Sequence, residues 1–229
     1  QKKHSIMRTY PVFGRLRYFM EDIRPKVYQY FIESDTDGRP INRIDRNTIY
    51  QRSKKDNDTM PFGTQMDVYA EGYEWTCHSV SPKNSHDMDH NPRIIFRNKD
   101  CLQPYNASIY NVSAMSYGSL SSNAIEALNA GAKIGGFAHN TGEGGLSPYH
   151  LKHGGDIIWQ IGTGYFGCRT DDGNFDEHLF AEKATLPNVK MIELKISQGA
   201  KPGHGGILPA SKNTEGIAAI RHVKPHTIV

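Results

Sequence analysis

From Tyr105 to the C-terminus, β-rich runs alternate with helical ones, and this alternation restricts the fold more than any other feature of the chain. The runs ASIYNVSAM, GGFAHN, DIIWQI, VKMIELKI and HTIV read as five strands, and SSNAIEALNAGAKI, FDEHLFAEKA and TEGIAAIRH read as helices after the first, third and fourth of them. Short β runs separated by helices imply parallel strands joined by right-handed crossovers. A (β/α)8 barrel or an open doubly wound sheet would satisfy the pattern. Residues 105–229 are too few to close a barrel of roughly 250 residues, so on the barrel reading they form its first part, and HTIV at 226–229 begins a further strand.

Glycine placement favours the barrel. Half of the 22 glycines fall between Gly131 and Gly167, and they follow the ends of successive strands: FAHN leads into TGEGG, WQI into GTGYFG, and LKIS into QGAKPGHGG. Barrel enzymes build their sites from loops at the C-terminal ends of the strands, whereas an open sheet concentrates such loops at one switch point. GTGYFG at 162–167 matches the dinucleotide pattern G-x-G-x-x-G, but CRTDDGN follows it and reads as a turn, not as the helix that the fingerprint requires.

Residues 1–104 form a helical and irregular extension. Leu16, Phe19, Ile23, Val27, Tyr30 and Phe31 recur at spacings of three and four, which predicts a core-facing helical stripe over 11–33 that starts near Pro11 and is broken in two by Pro25. Residues 34–104 are polar and irregular, with turns at Asp37–Gly38 and Asn91–Pro92 and short strand candidates near Tyr73–Ser79 and Arg93–Arg97.

The hydrophobic content is 37% and the charged fraction 22%, which describes a folded chain with an apolar core. A formal charge of +3, with Lys and Arg dispersed, argues against a nucleic-acid partner. Cys77, Cys101 and Cys168 are far apart and fit neither a disulfide framework nor a zinc or iron–sulfur site, so a reducing, cytoplasmic setting is expected. No apolar run reaches the roughly 20 residues that span a bilayer. The chain opens on Gln1, which leaves room for an anchoring or targeting segment upstream.

In the strand MIELKIS, Ile192, Leu194 and Ile196 alternate with Glu193 and Lys195. In a barrel the apolar set meets the helices and the charged pair faces the interior, where a charge is costly unless it is paired or used. Two readings follow: a structural Glu193–Lys195 pair, or a lysine directed at a ligand. Glu143 lies between glycines in TGEGG, which let the backbone approach a ligand closely. His139, His150, His153 and His204 read as hydrogen-bonding histidines rather than metal ligands, and no metal site is expected.

NVSAMSYGSLS at 111–121, NTGEGG at 140–145, QIGTGYFG at 160–167 and KISQGAKPGHGG at 195–206 resemble the FMN-binding synthase domain of glutamate synthases, and the N-terminal stretches DTDGRP and PFGTQMDVYAEGYEW resemble its stand-alone, single-chain branch. The resemblance implies a (β/α)8 barrel with FMN at its C-terminal mouth. There, 2-iminoglutarate formed from 2-oxoglutarate and ammonia would be reduced to glutamate. It implies Ser113, Ala114 and Met115 against the flavin ring, and Gln160 and Lys195 on the ring's polar edge. Lys201 and Arg221, with Gln198 and Thr163, would hold the substrate carboxylates, and Glu143 would move protons. An alternative within the resemblance is amine transfer between glutamate and methylamine; a non-catalytic flavin-binding subunit is another. His204 and Thr163 depart from the family's usual glutamate and serine. No glutaminase cysteine or iron–sulfur spacing is present, so ammonia would come from solution or from a partner protein, and an electron-donating partner would be a further candidate.

Overall fold

The computed structural model describes residues 4–57, 63–196 and 206–229. The chain divides into two units, Gln1–Pro82 and Lys83–Val229.

The first unit is helical. Helix α1 (Ser5–Thr9) precedes α2 (Pro11–Val27), which takes Pro11 at its first position, where a missing N–H costs nothing. Pro25 does not break α2 as expected. The helix continues through it to Val27 and then widens into a π-helical turn, Tyr28–Ile32. A looser turn accommodates a ladder from which proline has removed a donor. The stripe on α2 is also not core-facing: Leu16, Phe19, Val27, Tyr30 and Phe31 are exposed. The polar region beyond it contains a helix that the sequence reading missed, α3 (Arg43–Lys54), capped by Asn42 Oδ1 accepting from Asp45 N at 2.9 Å. Arg46 of α3 pairs with the buried carboxylate of Glu33. Tyr73–Ser79 forms no strand.

The second unit opens with an antiparallel pair, β1 (Arg93–Phe96) and β2 (Tyr105–Ser108). Here the expected first parallel strand is corrected. Within ASIYNVSAM the ladder residues 105–108 belong to the antiparallel pair, and only Val112 makes a parallel bridge, to His139. Helix α4 (Ser122–Gly135) follows, with Ser121 as N-cap and Gly136 at φ 66° closing it. Arg93 Nη2 donates to Gly136 O at 2.7 Å, so β1 holds the end of α4. Three parallel strands then form a sheet in the order β3 (His139–Asn140), β4 (Ile157–Ile161) and β5 (Val189–Leu194). Helix α5 (Pro148–Leu151) lies between β3 and β4, α6 (Glu177–Ala184) between β4 and β5, and α7 (Glu215–Arg221) follows β5. HTIV is not a strand, although Val229 and Leu208 exchange backbone bonds of 2.7 and 3.1 Å.

The two faces of this sheet differ. On one, Ile157, Trp159 and Ile161 are buried with Leu146 and Cys168, and Trp159 stacks on Phe180 of α6 at 5.7 Å. On the other, Ile158 and Met191 pack against Tyr105 and Ala107 of β2 and against Ala138. A register shift beside Ile157 and Ile158 lets Val189 join the first cluster and Met191 the second. The result is an α/β unit with helices against a parallel sheet. A small antiparallel pair packs at the beginning of its other face, and the described strands do not close into a barrel.

Candidate functional site

Along the face that carries Ile158 and Met191, the next residues toward the strands' C-terminal ends are polar, because side chains of one face recur every second residue. They are Asn140 of β3, Gln160 of β4 and Glu193 of β5. Asn140 Nδ2 donates to Glu193 Oε2 at 3.2 Å, and the Gln160 amide donates to Glu193 Oε1. The charge of Glu193 is therefore met by two amides, one from the neighbouring strand β4 and one from β3 beyond it, rather than by Lys195. Gln160 Oε1 is buried without a hydrogen-bond partner among the described residues.

Lys195 lies one step further along the same face, its backbone N–H still bonded to Ile161 O at 2.8 Å. Its ammonium faces Glu143 Oε2 at 3.3 Å. Gly162 makes this approach possible, since a Cβ there would stand 2.7 Å from Glu143 Oε2 and 2.9 Å from its Cβ. Of the two sequence readings for Lys195, the structural Glu193–Lys195 pair is set aside: Glu193 is held by amides, and Lys195 meets the loop carboxylate.

Arg221, at the end of α7, is buried. Its Nη2 donates to Tyr117 O at 3.4 Å, and its guanidinium lies over the Phe166 ring at 5.1 Å. Burial lowers its pKa and the Glu143 charge acts the other way; arginine keeps its proton regardless. A cavity of about 340 Å³ opens here, lined by Ser116, Glu143, Thr163, Phe166 and Arg221 among others. A carboxylate, a guanidinium and hydroxyls thus converge on one space, with the Lys195 ammonium behind Glu143. This set suits a small anionic ligand and a proton transfer beside it.

The segment Ser113–Met115 runs beside the end of β3, with Met115 N donating to Asn140 O at 3.0 Å. Met115 O accepts from His150 Nε2 at 3.0 Å, and His150 Nδ1 is bonded by Ser147 Oγ at 2.7 Å. The Ser147 backbone N–H also donates to Nδ1, at 3.2 Å, which requires Nδ1 to accept, so with Nε2 donating to the Met115 carbonyl the ring is neutral. Burial lowers the pKa of His150, and that of its ring neighbour His139 is pushed down to about 4 by burial and by His150.

The structure brings together Glu143, Thr163, Lys195 and Arg221, with Gln160 one step before Lys195 on the same face. Gln198, Lys201 and His204 lie outside the described residues. Asn140, Phe166 and His150 were missed as site residues. Asn140 begins the NTGEGG motif and Phe166 lies within GTGYFG, so both were visible as motif members, while the bond from His150 to Met115 left no sequence signal.

The family model described as a conserved region in glutamate synthase matches residues 45–229. The chain belongs to the glutamate synthase family. A glutamate synthase large subunit-like protein of Bacillus subtilis, YerD, is 36% identical over 264 residues, an alignment that takes in 98% of this chain and 50% of that protein. An archaeal-type glutamate synthase (NADPH) of Thermotoga maritima is 42% identical over 111 residues, covering 48% of this chain and 19% of its own length. The archaeal glutamate synthase (NADPH) of Archaeoglobus fulgidus is 38% identical over 115 residues, covering 50% and 20% respectively. The chain therefore spans half the length of the first relative and about a fifth of the other two.

Proposed function

We propose that this chain carries part of the FMN- and dicarboxylate-binding site of a glutamate synthase-type oxidoreductase, in which 2-iminoglutarate formed from 2-oxoglutarate and ammonia is reduced to glutamate. The observation that carries the reading is the convergence of Glu143, Lys195, Thr163 and Arg221 at the C-terminal ends of parallel strands, in a chain of this family.

The residues present fit the cofactor. Gln160 spends its amide N–H on Glu193 and leaves a buried carbonyl oxygen as an acceptor for a ring N–H. Lys195 supplies a cation near that polar edge, and Met115 is held on both backbone atoms beside β3. When bound, FMN supplies the hydride. The protein's part is to bind, orient and move protons. Arg221 is fixed by Tyr117 O and Phe166, so its remaining donors are oriented before a substrate carboxylate arrives. Thr163 offers a hydroxyl to the same group. Glu143 takes a proton as ammonia adds to the keto carbon and returns one as water leaves. Lys195, within reach of Glu143, helps to hold the side chain in place between these transfers.

The test is the absorption spectrum of the purified full-length protein, followed by anaerobic mixing of the reduced form with 2-oxoglutarate and ammonia. A bound flavin that is reoxidised only when both are present is the expected result. Flavin that stays reduced with both present would refute the reaction while leaving the binding site standing.

A further inference from the structure

The apolar stripe of α2 is exposed, and its surroundings indicate what it meets. At about 3.6 residues per turn, Val12, Leu16, Phe19, Met20 and Val27 share one face with the half-buried Ile23. Phe13, at one margin of this face, is 73% exposed, and Phe19, near the other, is 56% exposed. The helix's packed side is the opposite one. Gly14, half a turn away from Ile23, is its single buried residue, and a Cβ there would stand 2.9 Å from Met7 Cα of α1. Tyr18, beside Gly14 on the wheel, receives the His4 ring edge-on at 4.9 Å. Helix α1 therefore packs against the face that is not apolar.

Charge is arranged about the stripe in rows. Arg15 and Lys26 follow one margin and Arg17 and Arg24 the other, while Glu21 and Asp22 lie beyond the basic rows, toward the packed side. Arg17 pairs with Glu21 at 3.1 Å in an exposed i,i+4 contact of the weak, salt-screened kind. The next turn, Tyr28–Ile32, continues the exposed apolar surface with Tyr30 and Phe31. An apolar stripe between two basic rows fits a plane with hydrocarbon beneath it and anionic headgroups at both edges, where Arg and Lys extend their stems outward and Tyr sits at headgroup level. No described helix is long and apolar enough to cross a membrane.

We propose that α2 lies along a membrane surface carrying anionic headgroups, its Val12–Leu16–Phe19–Met20 face embedded and its Arg15, Arg17, Arg24 and Lys26 rows on the headgroups. The proposal is independent of the reaction assigned above.

The experiment is flotation of the full-length protein with vesicles of phosphatidylcholine alone or with added phosphatidylglycerol, at low and high salt. Expected is binding to the anionic vesicles at low salt, weaker by roughly tenfold on neutral vesicles or at high salt. Arg15→Gln/Arg24→Gln, which removes one cation from each row, should lower the preference for anionic vesicles severalfold. Leu16→Ser/Phe19→Ser should lower partition about tenfold. These side chains are exposed, so the fold should persist, and circular dichroism verifies it. Absence of vesicle binding, or equal binding by the wild type and the Leu16→Ser/Phe19→Ser variant, would overturn the proposal. So would concentration-dependent self-association abolished by the same variant without vesicle binding, which would make the face an interface between two copies of this chain.

Discussion

Glu143 and His139 show how differently single residues are constrained. Glu143 is placed by the loop TGEGG against Lys195 and beside the cavity, so Glu143→Gln should keep the fold and any bound flavin. Its turnover should fall by a factor on the order of 10² to 10⁴, the range for a positioned acid or base. Steady-state rates on matched flavin content check this, and unchanged turnover would return Glu143 to a structural role. His139 is fully buried on the helix-facing side of β3, and neither ring nitrogen has a hydrogen-bond partner among the described residues. With its pKa pushed down to about 4 in the fold against an ordinary 6.5, the unfolded chain binds the extra proton first. The stability held by the neutral ring is therefore fully present above pH about 6.5. It is lost as pH falls toward 4, an effect on the order of 3 kcal/mol, and His150 shifts in the same direction. Denaturant midpoints should drop between neutral pH and about pH 5, and His139→Phe should flatten that dependence. An undiminished slope in the variant would assign it to other groups. The sequence showed Glu143 through its flanking glycines, but a lone histidine in FAHN carried no sign of burial.

At the scale of elements, loops hold the site as firmly as strands do. Gly145 has φ 92°, and a Cβ there would meet Ile220 Cγ2 at 3.1 Å and Gly167 N at 3.3 Å. Gly145→Ala should thus both strain the backbone and push apart the loops after β3 and β4, at a cost of about 1–3 kcal/mol. Thermal denaturation measures the stability loss, and slower turnover on matched flavin content would report the displaced Glu143. A variant as stable as the parent would show that the two loops yield freely. The glycine clustering was plain in the sequence, whereas the role of each glycine depended on which loop lay opposite. Helix α2 makes the converse point. Its period was legible, but periodicity marks an apolar face without saying what covers it, so the expected burial did not follow.

For the molecule as a whole, β5 is the edge of the described parallel sheet; Ile192 and Leu194 are exposed on it, and Ile196 is exposed just beyond its end. Exposed apolar edges invite pairing with other chains. In the 229-residue chain, Leu194→Lys should reduce self-association measured by light scattering without loss of secondary structure. On the barrel expected from the sequence, the same face would lie under outer helices, and there the substitution would bury an unpaired charge and should cost several kcal/mol, about 3 or more. A full-length Leu194→Lys protein with an unchanged melting temperature would count against closure of a barrel around this sheet.

The sequence by itself determined the α/β alternation, the helices α4, α6 and α7, the strands around Asn140, Gln160 and Glu193, and the gathering of glycine loops at their ends. These are local properties, set by side-chain period, capping and turn chemistry within a few residues. Only the tertiary structure decided that Tyr105–Ser108 pairs antiparallel with Arg93–Phe96, since either partner satisfies a short β-rich run equally well. It also decided that Glu193 takes two amides while Lys195 takes Glu143, because the partners are separated along the chain and meet only once the strand register is set. A register is a choice among pairings that cost nearly the same locally, and it is made by the packing of whole faces: Trp159 on Phe180 on one side, Met191 against Tyr105 and Ala107 on the other.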